Sequence, residues 1–259
     1  MGDFSFRAVE TLRAAALILA EDTRHSRPLL ERHGITTPVE SYHEHNEARM
    51  TPRMIARLRG GDDIALISDA GTPMVSDPGA RLVKEAIAEG VDIVPIPGAS
   101  ALLAALVGAG ADPSRFTFFG FLARKGRERR ETLADLAALR HTAVLYEAPG
   151  RVADTLAELG ALGAGGRPAV VARELTKQFE EFRRGTVDEL AAYYRESPPR
   201  GEVVIVIEGG VIESPNEDVI RETVRELRAG GASPREITAR LMDDLGVPRN
   251  QAYRLAHES

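Results

Sequence analysis

The sequence predicts an α/β fold with two α/β domains, the first on a mainly parallel sheet and the second on a mixed sheet, followed by a small helical module. Short apolar runs alternate with helical patterns over most of the chain, which is typical of strands joined by helices. The segment 108–115, GAGADPSR, is dense in turn-forming residues, and only helical patterns follow Asn216. We therefore expect domains at 1–111 and 112–212 and a helix-turn-helix-like module at 213–259.

The first half contains five predicted helices and three predicted strands. An Asp or Thr followed by Pro places a side-chain acceptor at the helix N-cap and Pro at the first helical position, which predicts two of the helix starts. In chain order we expect a helix from about Phe4, the strand ALILA (16–20), a helix after Arg24 closed by Gly34, a helix opened by Thr51-Pro52, the strand DIALIS (63–68), a helix capped by Asp77-Pro78 and stopped by Gly90, the strand DIVPI (92–96), and a helix entered through PGASA (97–101).

The second half predicts a sheet with some sequential, hairpin-like pairing. Its expected elements are the strand FTFFGF (116–121), a helix through 127–140, the strand TAVLYE (142–147), a helix after Arg151, the strand PAVVARE (168–174), a stretch around FEEFRRG (179–185), the helix VDELAAYYRE (187–196) and the strand EVVIVIE (202–208). In the tail, SPRE (233–236) is a capping box with Pro at the first helical position, and 245–253 separates two helices. This tail resembles a helix-turn-helix, and a small packing module is the alternative.

Composition excludes several classes of protein. The net charge of −6 over 259 residues argues against a surface that binds nucleic acid throughout, although local basic patches are compatible with it. The absence of Cys excludes disulfides, thiolate nucleophiles and Cys-ligated metals. No apolar run approaches the roughly 20 residues of a membrane span, and the first residues lack the order of a secretory signal. We expect a cytoplasmic protein.

Three loops with unusual residues follow strands of the first half. They are AEDTR (20–24), SDAGTP (68–73) and PGASA (97–101). In open α/β sheets, ligands bind beyond the carboxyl ends of the strands. Gly71 and Gly98 would let the backbone approach a ligand closely, and Ser100 begins a helix whose amides could meet a carboxylate. For any one loop alone, turn formation is the alternative.

Other common site signatures are missing. No phosphate-binding GxxxxGK[ST] motif occurs, and the G-x-G at 108–110 ends a helix instead of following a strand. The segment HEH (43–45) is compatible with a metal site, but no further ligand has suitable spacing, so we predict no metal. No motif identifies a nucleophilic Ser.

Basic residues form two clusters. The segment 123–130, ARKGRERR, carries five cations, and 172–185 carries four more after a strand. Clusters of this kind suit RNA phosphates, and a solvated helix face is the alternative for the first. The chain has 30 Arg but only three Lys, and Lys177 lies in the second cluster. A chain that uses Arg so consistently suggests a role for this Lys that a guanidinium cannot fill.

The segments 20–35, 41–47, 66–83, 95–106, 118–133, 145–152, 172–185 and 201–209 together resemble the ribosomal RNA small-subunit methyltransferase I family of the tetrapyrrole methylase superfamily. The resemblance extends from about residue 2 to the end of the chain. It implies 2′-O-methylation of a cytidine in the decoding centre of 16S rRNA, within the small ribosomal subunit, with S-adenosylmethionine as methyl donor and no metal. It also implies a homodimer.

We assign candidate site residues on this basis. A ribose hydroxyl is a weak acid, so a nearby base or cation should assist its proton loss, and we hypothesise that Lys177 does so with Glu174 and Asp22 as orienting or proton-accepting partners. Residues assigned to the donor are Asp69, Gly71, Thr72, Pro73, Val75, Ser100, Ala101 and Tyr146. Residues assigned to substrate RNA are Arg24, Arg173, Lys125, Arg127, Arg129 and Arg130.

The sequence departs from the family at its start. By resemblance, an apolar strand and a Pro-Ile-Gly-Asn-type loop precede the Gly2-Asp3 pair, and the printed chain begins there. We expect that the chain as printed is poorly soluble or inactive because one wall of the cleft is open, and that an upstream extension with an apolar strand and a Pro/Gly-containing loop restores both properties. The competing interpretations are a methyltransferase acting on a tetrapyrrole intermediate, and an RNA- or ribosome-binding protein whose catalytic cleft has decayed.

Overall fold

The computed structural model describes residues 2–210 and 217–258 of the chain. It confirms the α/β class, with a three-stranded parallel sheet in the first half and a five-stranded mixed sheet in the second. The predicted domain boundary near 213 and the predicted helical start at Asn216 lie outside the described residues. No helix in the described ranges is long and apolar enough to cross a bilayer.

The first sheet has the order β2-β1-β3, and all its strands are parallel. β1 is completely buried and lies between two helical layers, so its four residues are apolar. The elements are α1 (Phe6–Ala14), β1 (Leu17–Ala20), α2 (Thr23–Arg32), β2 (Val39–Ser41), α3 (Glu47–Arg59), β3 (Ile64–Ile67), α4 (Ala80–Ala88) and α5 (Ala101–Ala109).

The predicted strand at 92–96 is wrong. Residues 91–100 have no regular secondary structure, and Val94 is 74% exposed. A strand needs a ladder partner, and β3 pairs with β1 on one side only within the part of the chain that the structure describes. The apolar composition of 92–96 therefore predicted a strand in a segment that lies outside the sheet.

Two predicted helix starts are also wrong. α3 begins at Glu47 and carries Pro52 inside it, while the Thr51 hydroxyl is buried against the Tyr42 hydroxyl at 2.8 Å. α4 begins after Gly79, which makes no side-chain cap, so Asp77 does not cap this helix. In both cases an X-Pro pair was interpreted as a cap although its polar side chain has a different partner.

The second sheet has the order β4-β5-β8-β6-β7, in which only β4 and β5 pair in parallel. One face packs on α6, α7 and α8 around a buried cluster that includes Leu136, Leu156 and Leu190. The elements are β4 (Phe116–Phe121), α6 (Arg127–Ala138), β5 (Thr142–Glu147), α7 (Val152–Leu159), β6 (Pro168–Arg173), β7 (Glu181–Thr186), α8 (Val187–Glu196) and β8 (Val203–Ile207).

Helix α5 covers the other face of the second sheet. Its buried Ala105 and Leu106 pack with Val144 and Val206. A Cβ at Gly108 would collide with the Phe182 ring, so this helix approaches β7 closely because it has no side chain there. The start of α5 lies beside the carboxyl end of β5, because the Leu102 backbone hydrogen-bonds the Tyr146 phenol.

The tail is helical, as the sequence predicts. α9 (Glu217–Ala229), α10 (Pro234–Asp243) and α11 (Arg249–His257) enclose their own apolar cluster, which includes Ile220, Leu241 and Ala252. The capping box at Ser233 and Glu236 is confirmed, with the Glu236 amide donating to Ser233 Oγ at 3.3 Å.

Candidate active site

Hydrogen bonds join the three loops that the sequence singles out. The Asp22 amide donates to Asp69 Oδ1 at 3.1 Å, and the Thr72 hydroxyl donates to the Ala99 carbonyl at 3.0 Å. Segments 20–24, 68–73 and 97–101 therefore meet in space although they are far apart in sequence. Pro73 and Val75 are half-buried in the same assembly, and Ala101 opens α5.

Gly71 leaves free space within these loops. Its φ is 74°, a backbone conformation that favours Gly, and a Cβ built there meets only the Ala99 carbonyl, at 3.9 Å. Ser100 acts as the N-cap of α5, where its Oγ accepts from the Leu103 amide at 3.4 Å. The hydroxyl of Ser100 is thus used in capping, whereas the space beside Gly71 is open to a ligand.

The middle loop continues across to the second sheet. Met74 and Ser76 both have positive φ, of 71° and 68°, which non-Gly residues seldom adopt. A Cβ at Gly120 in β4 would lie 3.1 Å from Ser76 Oγ, so the loop runs directly against this strand. Backbone strain of this kind is concentrated at functional sites because the surrounding structure must maintain it.

Asp77 is the residue that the sequence reasoning missed. Burial raises the pKa of this carboxyl from its ordinary range to about 6, the negative charge of Glu21 adds to the effect, and Asp69 and Glu202 contribute further. A hydrogen bond with Ser68 works in the opposite direction. A carboxyl that titrates near neutrality suits proton transfer, and the turn-like sequence SDPG concealed it.

Asp22 is less suited to accept a proton. Its Oδ1 caps α2 by accepting from the Arg24 amide at 2.8 Å, and its Oδ2 pairs with the Arg24 guanidinium at 2.9 Å. The hydrogen bond from the Arg24 side chain lowers the pKa of Asp22 to about 2. A carboxylate of such low basicity positions the loop, and Arg24 itself remains largely exposed.

Tyr146, at the end of β5, faces the loops from the second sheet. Burial raises the pKa of its phenol, and the charges of Asp77 and Glu202 act on it in the same direction. Its ring packs against Phe118 and Phe121, with centroids 4.9 and 5.5 Å away. Tyr146 thus lies close enough to Asp77 for the two halves of the chain to enclose a common cleft.

Lys177 lies between two carboxylates. Its Nζ is 3.1 Å from Glu174 Oε1 and 3.1 Å from Glu202 Oε2. Burial lowers the pKa of Lys177, but its hydrogen bonds to the two carboxylates outweigh this effect, so the pKa lies above its ordinary value. Lys177 is therefore a fixed cation in this structure, and Glu202 is a partner that the sequence did not reveal.

The backbone around Lys177 is constrained. Glu174 and Thr176 have positive φ, of 50° and 63°. The Glu174 amide donates to the Glu202 carbonyl at 2.9 Å, and the Glu202 amide donates to Glu174 Oε1 at 3.0 Å. A Cβ at Gly201 would collide with the Glu174 carboxylate, so this position requires Gly. The loop therefore holds the ammonium in one place.

The predicted RNA-binding cations have different surroundings. The Arg173 guanidinium pairs with Glu181 at 2.7 Å, and Arg127 pairs with Glu131 at 2.6 Å across one helical turn. Lys125 and Arg130 are exposed, and neither pairs with a carboxylate within residues 2–210 and 217–258.

The prediction that Arg129 contacts RNA is wrong. This residue is only 6% exposed, and its guanidinium donates to Glu158 at 2.9 Å, to Thr155 Oγ1 at 2.9 Å and to the Ala123 carbonyl at 3.2 Å. On α6 it points inward while Arg127 and Arg130 point outward. The helical phase separates these three cations, which composition alone treats as one cluster.

The His43 and His45 rings lie 6.0 Å apart. Across the described parts of the chain, no group of three or more His, Asp or Glu side chains is arranged to hold a metal ion.

Comparison with known proteins gives the family. The family model for tetrapyrrole (corrin/porphyrin) methylases matches residues 1–191. A curated relative from Synechocystis, ribosomal RNA small subunit methyltransferase I, is 44% identical over 261 residues, which cover 100% of this chain and 94% of the relative.

Solved structures agree on the fold. A cobalt precorrin-4 methyltransferase of cobalamin biosynthesis shares 25% identity at a TM-score of 0.59, with 79% of this chain and 88% of that chain covered. A uroporphyrin-III C-methyl transferase from Thermus thermophilus, complexed with S-adenyl homocysteine, has a TM-score of 0.56 at 20% identity and covers 79% of this chain and 90% of its own. The chain therefore belongs to the tetrapyrrole (corrin/porphyrin) methylase family and, within it, to the ribosomal RNA small subunit methyltransferase I proteins.

Proposed function

We propose that this protein is an S-adenosylmethionine-dependent methyltransferase that methylates the ribose 2′-oxygen of a cytidine in 16S rRNA, in the decoding centre of the small ribosomal subunit. The observation that carries the proposal is the cleft in which three loops of the first half face Tyr146, Asp77 and Lys177. The name of the Synechocystis relative supports the substrate class, and its match extends over the whole chain.

The loops fit a methyl donor at the open space beside Gly71. A backbone without a side chain can approach a ligand closely, and the bonds from Asp69 to the Asp22 amide and from Thr72 to the Ala99 carbonyl fix the surrounding walls. Half-buried Tyr146 supplies an aromatic surface opposite. S-adenosylmethionine, when bound, supplies an electrophilic methyl group. The chain's own task is to position the ribose oxygen in line with it.

Asp77 is the group best suited to accept the ribose proton. Its pKa of about 6 leaves it ionised at neutral pH but basic enough to accept a proton as the hydroxyl reacts. Lys177, held as a cation by Glu174 and Glu202, stabilises negative charge that develops on the ribose oxygen. Asp22 and Glu174 act by positioning Arg24 and Lys177 respectively.

Exposed cations provide the surface for RNA. Lys125, Arg127 and Arg130 lie along one exposed edge of the loop and helix that follow β4, and Arg24 and Arg173 lie nearer the cleft. Cations arranged in this way contact phosphates with little dependence on sequence, so they favour a structured RNA without specifying the base.

The active form is a homodimer. Large apolar side chains remain exposed on α5 and on the segment before it, including Val107 and Val94, and their burial against a second copy would favour association. Light scattering should give twice the mass of the 28.0 kDa chain.

The proposal is tested on small subunits isolated from a strain that lacks the gene. Nuclease digestion and mass spectrometry should show one missing ribose methyl on a cytidine, and purified protein with S-adenosylmethionine should restore it. An intact set of ribose methyls in the deletion strain would contradict the proposal. Methylation of a tetrapyrrole instead of the subunit would favour the competing enzyme.

A further inference from the structure

An open cavity lies at the carboxyl ends of β4 and β5, beside the cleft. Its volume is about 660 Å³, which is within the range of small-ligand sites. Of its lining residues, only Phe121 contacts the site described above, through the Tyr146 ring. The lining residues are Phe121, Leu122, Ala123, Arg124, Ala148 and Arg151.

An aromatic ring is exposed at this cavity. Phe121 is 57% exposed, although it ends a strand whose neighbouring residues are partly buried. The register of β4 against β5 shifts between Phe118 and Phe121, and Gly120 has a φ of 61° within the shift. Such irregularities redirect a side chain out of the regular alternation. The ring also contacts Tyr146, so the cavity and the cleft share a wall.

A buried polar network fixes the rim of the cavity. Arg129 holds the Ala123 carbonyl, and Arg151 donates to the Leu122 carbonyl at 3.2 Å. Both guanidiniums are linked through the buried carboxylate of Glu147, which pairs with Arg151 and accepts from Thr155 Oγ1 at 2.7 Å. Backbone carbonyls secured by charged donors make a rigid rim, so a ligand would meet a pre-formed surface.

Positive charge borders the aromatic ring. Arg124 and Lys125 are exposed directly after the rim, and no carboxylate in the described ranges pairs with either side chain. An exposed ring beside unpaired cations is the combination that binds single-stranded nucleic acid, because the bases stack while the cations contact the phosphates.

We propose that this cavity binds one nucleobase of the RNA substrate, stacked on Phe121, with Arg124 and Lys125 contacting the adjoining phosphates. The inference rests on the proposed function for the class of ligand. The inference adds to that function a subsite for one nucleobase beside the methyl-transfer cleft. Since Phe121 contacts Tyr146, a base held there orients the nucleotide that enters the cleft.

The chain contains no Trp, so a single introduced Trp reports on its own position. Phe121→Trp should keep the stacking surface, and its emission should be quenched saturably by a short single-stranded RNA. Phe116→Trp is the matched control, because Phe116 is also exposed, at 36%, but begins the same strand at its opposite end. A hairpin with a fully paired stem should quench Phe121→Trp less, since its bases are already stacked.

Phe121→Ala should weaken binding of the single-stranded RNA by roughly tenfold or more without changing affinity for S-adenosylmethionine. Equal quenching in both Trp variants, or unchanged RNA affinity in Phe121→Ala, would overturn the subsite. Wild-type methyl transfer to small subunits is measured in parallel. If Phe121→Ala methylates small subunits as fast as wild type, the subsite is refuted but the proposed function is not. If wild type methylates no subunit, the proposed function is refuted.

Discussion

Replacing Asp77 by Asn tests whether this carboxyl accepts the ribose proton. With a pKa of about 6, Asp77 is roughly one quarter ionised at pH 5.5 and almost fully ionised at pH 8. Wild-type turnover should therefore fall about fourfold from pH 8 to pH 5.5. Asn keeps the shape of the side chain but cannot take up a proton, so Asp77→Asn should lose about 10²- to 10⁴-fold in rate and lose this acidic limb.

The assay is methyl transfer to unmethylated small subunits at saturating donor, measured from pH 5.5 to 8. Asp22→Asn is the matched control, because the pKa of Asp22 is about 2 and its ionisation is constant over this range. It should lower activity through the Arg24 contact but retain the acidic limb. An unchanged pH profile in Asp77→Asn would refute the assignment.

The same pKa shift determines a pH dependence of stability. Burial raises the pKa of Asp77 above its unfolded value of 3.8 to about 6, so the native state binds the proton more tightly. This contribution to stability is fully present below pH 3.8 and is lost as pH rises through about 6. At pH 8 the Asp77 carboxylate is ionised and is repelled by Glu21, Asp69 and Glu202, whereas at pH 5 it is partly neutralised. Asp77→Asn should therefore raise the melting temperature more at pH 8 than at pH 5.

Three further variants test Lys177, the exposed cations of α6 and Arg129. Lys177→Arg should lose most turnover with normal donor affinity, because a guanidinium cannot occupy the position of a compact ammonium between Glu174 and Glu202; full activity would make Lys177 a surface cation. Arg127→Ala with Arg130→Ala should weaken subunit binding and reduce its salt dependence, and an unaltered salt slope would support a solvated helix face. Arg129→Ala should instead destabilise the fold by about 2–3 kcal/mol in urea unfolding, because it removes a buried guanidinium and leaves buried Thr155 and the Ala123 carbonyl without their donor, whereas a stability loss equal to that of Arg127→Ala would contradict this role.

Periodicity and turn chemistry predicted most of the fold. The second half follows the sequence closely because its inner strands β5, β6 and β8 are apolar runs whose residues are mostly buried. The capping box at Ser233 is equally local, since its two hydrogen bonds lie within four residues. Local patterns of this kind need no knowledge of the partners.

The errors arise where a partner distant in sequence decides the outcome. The segment 92–96 has the composition of a strand, but only a neighbouring strand could make it one. Asp77 was interpreted as a helix cap because its neighbour is Pro, and its actual surroundings include Glu21 and Glu202, on other elements. The same reason explains why Glu202 escaped notice as a partner of Lys177.

The sequence predicted which loops form the candidate site but not how their side chains are arranged. The three loops AEDTR, SDAGTP and PGASA were identified at predicted strand ends, and the structure joins them by hydrogen bonds although no strand precedes PGASA. Which side chain in these loops has a raised pKa depends on its burial and on the charges near it, and the sequence of one segment reveals neither. Phe121 was likewise hidden, because its exposure results from a shift in strand register.

Calorimetric titration with S-adenosylmethionine tests most directly the claim that these loops form the methyl-donor site. The proteins compared are wild type, Gly71→Val and Gly90→Val. Gly71 and Gly90 share a φ of 74°, so Val imposes similar backbone strain at each, but Gly90 lies after α4 and outside the loops. We predict that wild type and Gly90→Val bind the donor and that folded Gly71→Val does not. Equal donor affinity in all three proteins, or no binding by wild type, would contradict the account.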